Sequence, residues 1–207
     1  MASEPVQDTL AAHTACRVFE DTIAALRACR ACSDLPLGPR PVFQLSPTAR
    51  LLITSQAPGT KAHASGQPFD DPSGERLRDW LGLDRARFYD ASRVAILPTG
   101  LCYPGRLAKG GDAPPRPNCA PLWHPRVLSH MPGVRLRLLV GGYAVRLVLG
   151  RGTGLEDAVR HHARYQPRHF PLPHPSWRTK VWEKRNPWFA EEVLPALKRA
   201  VAEVLKG

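Results

Sequence analysis

Four short apolar runs constrain what this chain can fold into. They lie at Arg50 to Ser55, Arg93 to Leu97, Leu136 to Val140 and around Arg168 to Leu172, and each reads as a strand. Helical spacing marks the segments between and around them. Val18, Ile23, Ala24 and Leu26 give Thr14 to Arg30 one buried face. Leu77, Trp80 and Leu81 do the same over Glu75 to Leu83, with Ser73 as N-cap, and Tyr143 to Leu149 forms a short helix closed by Gly150. A last helix starts at Asn186-Pro187, with Asn as N-cap and Pro at the first helical position. Its early Glu191 and Glu192 and late Lys198, Arg199 and Lys206 suit the helix dipole, and Pro195 is expected to kink it. Short strands alternating with helices imply an α/β fold: a three-layer α/β/α sandwich around a mainly parallel four-stranded sheet. The 207 residues suffice for one domain with a real core and not for two. Residues 1–207 are therefore read as a single domain, with 1–12 a loose terminus.

Proline decides one further region. Many of the 22 prolines fall between Pro98 and Pro125, and proline removes a backbone donor and fixes φ. That stretch is expected to be a long ordered loop. No apolar stretch approaches the roughly 20 residues needed to cross a membrane, and the N-terminus lacks the basic-then-apolar order of a signal peptide. A cytoplasmic, monomeric protein without a membrane partner is the expectation. Lys and Arg number 29 against 18 acidic residues, a net charge of +11, which points to an anionic partner, nucleic acid first.

Two polar motifs follow the first and fourth strands. Gln56-Ala-Pro-Gly59 and Gly66-Gln-Pro-Phe69 come after the first; His174-Pro-Ser176 comes after the fourth. Loops at strand ends of an open α/β sheet face each other across a crevice, where such sheets bind ligands. One loop offers an amide, tight backbone and an aromatic ring; the other offers an imidazole. That set can hold a flat polar ring and ease away a leaving group. His63, Asp70 and Asp71 are placed to orient water, with solvated loop charges as the alternative for the two acids. Arg160, His161, His162, Arg164, Arg168 and His169 form a basic run, either a nucleic-acid-facing edge or a solvated face.

Five cysteines in a reducing compartment are ligands or free thiols in preference to disulfides. Cys29 and Cys32 form a C-x2-C pair, and Cys102 and Cys119 form a second, wider pair. Four thiolates can hold zinc or an iron–sulfur cluster, and four unrelated buried thiols are the third possibility. Spacing alone does not choose among them. Cys16 is expected to be a core thiol of the first helix.

Cys29 and Cys32, then Gln56-Ala-Pro-Gly59, Gly66-Gln-Pro-Phe69, Cys102 and Cys119, and His174-Pro-Ser176, in that order, resemble the uracil-DNA glycosylase superfamily, and most its iron–sulfur branch. The resemblance spans Cys29 to Arg178. It implies that Gln56 and its neighbours Ala57 and Gly59 position the attacking water and hold the uracil, and that Phe69 stacks on the base. It also implies that His174 faces the base oxygen gaining charge, and that Cys29, Cys32, Cys102 and Cys119 carry a [4Fe–4S] cluster in preference to zinc. Two departures stand out. The branch usually has Glu where this chain has Gln56, and an amide is no general base, so an Asp of the Asp70-Asp71 pair is left to supply basicity. Its uracil-reading Asn is replaced by Pro98. Ser176, Trp177 and Arg178 would press into DNA, with Arg178 on a phosphate, and Pro72 to Gly74 would approach another phosphate. No motif supplies a lysine for a Schiff base, so hydrolysis without strand cleavage is expected. The implied function is a monofunctional enzyme releasing uracil from single- or double-stranded DNA. The alternatives are a glycosylase for hypoxanthine or xanthine, or a silent nucleic-acid-binding module.

Overall fold

The computed structural model describes residues 4–206. Its centre is a four-stranded sheet built from β1 (Leu51–Thr54), β2 (Val94–Ile96), β3 (Leu136–Val140) and β4 (His169–Leu172). The spatial order is β2-β1-β3-β4, and every pair is parallel. A parallel sheet covered on both faces needs apolar side chains along its whole length, which is why the runs were legible. Alternation then sorts them. Leu51, Ile53, Val94, Ile96, Leu136 and Leu138 enter one apolar layer, whereas Leu52, Ala95 and Leu97 enter the other. The helices are α1 (Glu4–Arg27), α2 (Thr60–Ser65), α3 (Pro72–Leu81), α4 (Arg85–Phe88), α5 (Cys119–Leu128), α6 (Gly142–Leu149), α7 (Leu155–Arg160), α8 (Thr179–Arg185) and α9 (Leu194–Leu205). Side chains of α3, α4 and α9 close the first layer, and those of α1 and α5 close the second. This is the expected three-layer α/β/α sandwich. The chain steps from β1 outward to β2, then returns to place β3 on the other side of β1. The carboxyl ends of β1 and β3 therefore bound a topological switch point, where ligands bind in such sheets.

Several elements differ from expectation for identifiable reasons. The segment expected to be a loose terminus is helical from Glu4; residues 1–3 lie outside the described part. The inward face of α1 runs through Phe19, Ile23 and Leu26, spaced for one helical stripe. Val18, Ala24 and Cys16 are exposed, so Cys16 is no core thiol. Asp71, not Ser73, caps α3: its carboxylate accepts from the Gly74 N–H at 2.8 Å, and Pro72 fills the first turn, where no donor is needed. The Pro-rich loop ends earlier than expected, because Cys119–Leu128 is helical with Pro125 inside it. Near the C-terminus, Asn186 does not cap. Its side chain donates to the Trp182 carbonyl and accepts from the Trp188 indole. Phe189–Val193 forms a wide π turn that runs straight into α9, whose first turn contains Pro195. Pro195, expected to kink the last helix, falls where the π turn passes into α9.

A buried polar network fastens the sheet to the loop after β2. Arg137 on β3 donates from Nε to Thr54 Oγ1 at 2.9 Å and from Nη2 to His124 Nδ1 at 3.0 Å. A guanidinium only donates, so Nδ1 accepts, and Nε2–H of His124 donates to the Pro98 carbonyl at 2.9 Å. Burial pushes His124 down to about 4; its bond to Pro98 opposes this and the Arg137 charge adds to it. Burial also lowers Arg137 to about 10, which leaves it charged at neutral pH. Unfolded, His124 takes up a proton near 6.5; folded, it does so only near 4. Its contribution is therefore complete above pH 6.5 and lost as pH falls to about 4, up to about 3 kcal/mol. The stability gap between wild type and His124→Gln should narrow across that window in urea denaturation. A gap that stays constant from pH 7 to 4 would contradict the buried neutral tautomer.

Candidate active site

A cavity of about 630 Å³ opens at the carboxyl ends of the strands. Four chain segments wall it: residues 55–60 after β1, 68–73 leading into α3, the 98–112 stretch after β2, and 174–178 after β4. Gln56, Ala57, Gly59, Phe69, Asp71, His174, Ser176 and Arg178 all line it, so the fold brings these sequence-predicted residues together.

Phe69 is held in an uncommon backbone state, with φ of 57°. Three contacts fix it. The Tyr89 hydroxyl lies 3.1 Å from the carbonyl oxygens of both Pro68 and Phe69. The ring meets Phe88 edge-on at 6.2 Å. Gly74 lets the first turn of α3 press against the Phe69 carbonyl, since a Cβ there would stand 1.8 Å from that oxygen. One edge of a well-fixed aromatic ring therefore borders the cavity.

His174 lines the same cavity. Burial lowers its pKa below the ordinary histidine value, and the Asp71 charge works against that shift. The ring is neutral at pH 7 and keeps one N–H to donate. Its carbonyl accepts from the Ser176 N–H at 2.8 Å and from the Thr179 hydroxyl. Arg76 on α3 donates to the Ser176 carbonyl at 2.8 Å and pairs with Glu183 on α8 at 2.5 Å. The second motif is thereby fastened to two helices. Trp177 beside it is 73 % exposed, with the Arg178 guanidinium 5.5 Å from its ring centre.

Gln56 lines the cavity and also makes a structural tie. Its Nε2 donates to the Ala113 carbonyl at 3.0 Å, while its own carbonyl accepts from the Thr99 hydroxyl and the Gly100 N–H. The amide ties the first motif to the Pro-rich loop. That loop carries a small hairpin: Arg106 bridges Asp112, and the Leu107 N–H donates to Gly111. Gly111, at φ of +90°, lets Arg178 lie against the tip; a Cβ there would stand 3.1 Å from Nη1. Arg106 and Asp112 line the cavity, and sequence reading did not single them out. The available signal was a Gly-rich tip inside a long loop of a compact domain, which usually marks function.

Other expected residues lie elsewhere. His63 is not among the cavity-lining residues. Its ring sits 6.1 Å from Tyr103, and its buried Nδ1 has no partner. Asp70 turns away to an ion pair with Arg85 at 3.0 Å, which lowers its pKa. The Gly74 N–H is taken by Asp71, so 72–74 offers less to a phosphate than expected. The basic run leads into the amino end of β4, whereas His174 follows its carboxyl end. Within that run Arg160 lies over Trp188 at 4.6 Å, His161 pairs with Asp157, and His162 stacks on Phe170 at 4.6 Å.

Cys29, Cys32, Cys102 and Cys119 line a second cavity of about 240 Å³. Burial pushes Cys102 up to about 11, and the other three cysteines add to this. The Leu101 N–H donates to Cys119 Sγ at 3.3 Å. Among the described residues no three His, Cys, Asp or Glu side chains converge closely enough to hold a single metal ion.

A well-fixed aromatic ring and a neutral imidazole line one cavity at the carboxyl ends of a parallel α/β sheet. A family model described as the uracil DNA glycosylase superfamily matches residues 42–198, and the chain belongs to that superfamily. Its activity class is DNA glycosylase, the hydrolysis of a base–sugar bond in DNA, and the superfamily includes iron–sulfur members. The match begins after Cys29 and Cys32, so those two thiols precede the matched segment.

The Gly74 contact makes a sharp prediction. Gly74→Ala should destabilise the fold by about 2 kcal/mol or more in denaturant unfolding, since its Cβ would strike backbone that cannot retreat. An unchanged midpoint would mean that Phe69 is not held as described.

Proposed function

We propose that this chain is a monofunctional uracil-DNA glycosylase. The observation that carries this reading is the presence of Phe69 and neutral His174 in the wall of one cavity that exposed Trp177 and Arg178 also line. The target nucleotide leaves the duplex stack, and its base slides against Phe69. Trp177 fills the gap left behind, and Arg178 sits on a phosphate. Backbone groups of Ala57 and Gly59, with Ser176 nearby, hold the base. As the C1′–N bond breaks, its electron pair moves onto the base. His174 donates a hydrogen bond to the base oxygen where that charge collects, and preorganised donors of this kind dominate such catalysis. Asp71, whose carboxylate also caps α3, adds negative charge near the cationic sugar.

We assign Cys29, Cys32, Cys102 and Cys119 to a [4Fe–4S] cluster in preference to zinc. Four thiols line one void, and the iron–sulfur branch that the chain resembles holds its cluster on four cysteine thiolates. The cluster would tie the end of α1 to the Pro-rich loop. A second substrate reading is favoured by Pro98: it has no side-chain donor, and His124 occupies its carbonyl, so hypoxanthine or xanthine meets no dedicated reader of the base edge.

No described helix is long and apolar enough to cross a membrane. Two experiments test the proposal. Purified protein should convert uracil-containing single- or double-stranded oligonucleotides to abasic sites, and His174→Ala should lower the single-turnover rate about 10²- to 10³-fold. Absence of base release from uracil, hypoxanthine and xanthine substrates alike, with DNA binding intact, would leave only a silent binding module. The pure protein should also be brown, with visible absorbance that Cys102→Ala loses; a colourless protein containing zinc would overturn the cluster.

A further inference from the structure

Gln56 stands where a water-activating acid belongs, yet it is an amide, and its Nε2 is committed to the Ala113 carbonyl. The residue that this bond positions is the neighbour of Ala113. Asp112 enters the cavity from the Pro-rich loop, directly across from the first motif. A Cβ on Gly59 would stand 3.7 Å from Asp112 Oδ2 and 3.9 Å from Asp71 Oδ2, so two carboxylates converge on one backbone position of the first motif.

The two acids are not equivalent. Asp71 spends Oδ1 on the N-terminus of α3. Asp112 accepts no hydrogen bond from a side chain or backbone group among the described residues, and neither Arg106 nor Arg178 closes an ion pair with it. Asp112 is thus an uncommitted, solvent-accessible carboxylate in the wall of the same cavity as His174 and Phe69. We propose that Asp112 is the general base of this site, delivered by a loop that Gln56 anchors, and that it orients and deprotonates the attacking water. The inference rests on the glycosylase reading above.

The step balances as hydrolysis. The water oxygen bonds to C1′ as the C1′–N bond breaks and its electron pair leaves with the base. The water proton passes to the Asp112 carboxylate and from there to solvent. The base anion, held by His174, takes its proton from solvent on release. Burial and the Asp71 charge raise the Asp112 pKa, while Arg106 and Arg178 pull it back; the phenol of Tyr103 is the other titratable group facing it. Raised basicity suits a group that must accept a proton. The loop geometry is independently held. Arg106 bridges Asp112, the Ala113 N–H donates to the Gly105 carbonyl at 2.8 Å, and Pro115 packs against Gly100.

The test is single-turnover uracil release by the full chain with enzyme in excess, on Asp112→Asn and Asp112→Glu. Asp112→Asn should lose at least tenfold, and about a hundredfold is expected of a lost general base, with DNA affinity within threefold of wild type. Asp112→Glu keeps the carboxylate and should recover at least a tenth of the wild-type rate. A fall of less than tenfold in Asp112→Asn overturns the proposal, as do equal losses in the two variants or a loss matched by weakened DNA binding. Failure of the wild-type chain to release any base would sink the glycosylase reading itself, and with it this one. An active wild type with an equally active Asp112→Asn would remove Asp112 alone.

Discussion

Burial of the sheet on both faces is the constraint from which the rest follows. Every residue of β1 and β2 is buried, and only Arg137 and His169 relax the pattern in β3 and β4. Strands of this kind have no face left for polar chemistry, so polar groups collect where the strands stop. Gln56 follows β1, Pro98 follows β2 and His174 follows β4, and all three line one cavity. The single charged side chain turned in from the strands, Arg137, is tolerated because Thr54 and His124 take up its donors.

The second organising element is the Pro-rich loop. Proline and glycine make it a poor strand or helix, yet it is firmly held. Gln56 binds it at Ala113, His124 binds its start at Pro98, and Leu101 and the two later cysteines root it beside α1. A loop fastened at three points can present Arg106 and Asp112 to a cavity with the precision of a helix. The proposed cluster and the proposed general base thus depend on the same segment, with Asp112 lying between Cys102 and Cys119 in the chain.

Reading residues in order caught the strands, the order of the layers and most of the cavity wall. Four-residue apolar runs survive as signals because their partners are also apolar, whatever those partners are. It missed where helices begin and which faces they bury, as with Asp71 capping α3 and Cys16 turned to solvent. Those depend on neighbours distant in the chain. The basic run at 160–169 reads as a nucleic-acid edge or a solvated face, and parallel strand direction puts it at the far end of β4 from His174, with several of its rings and charges engaged in packing.

By itself the sequence determined the fold class and the two facing motifs, because burial pattern and strand-end position are local properties. Only the tertiary structure decided what those residues can do. His63 and Asp71 lie on either side of Phe69 in the chain, yet one packs beside Tyr103 and the other reaches the cavity. Gln56 became an anchor because a carbonyl 57 positions away falls within reach of its amide. Asp112 entered the site because that same bond closes a long loop, and the closure of a loop is set by contacts that no local pattern encodes.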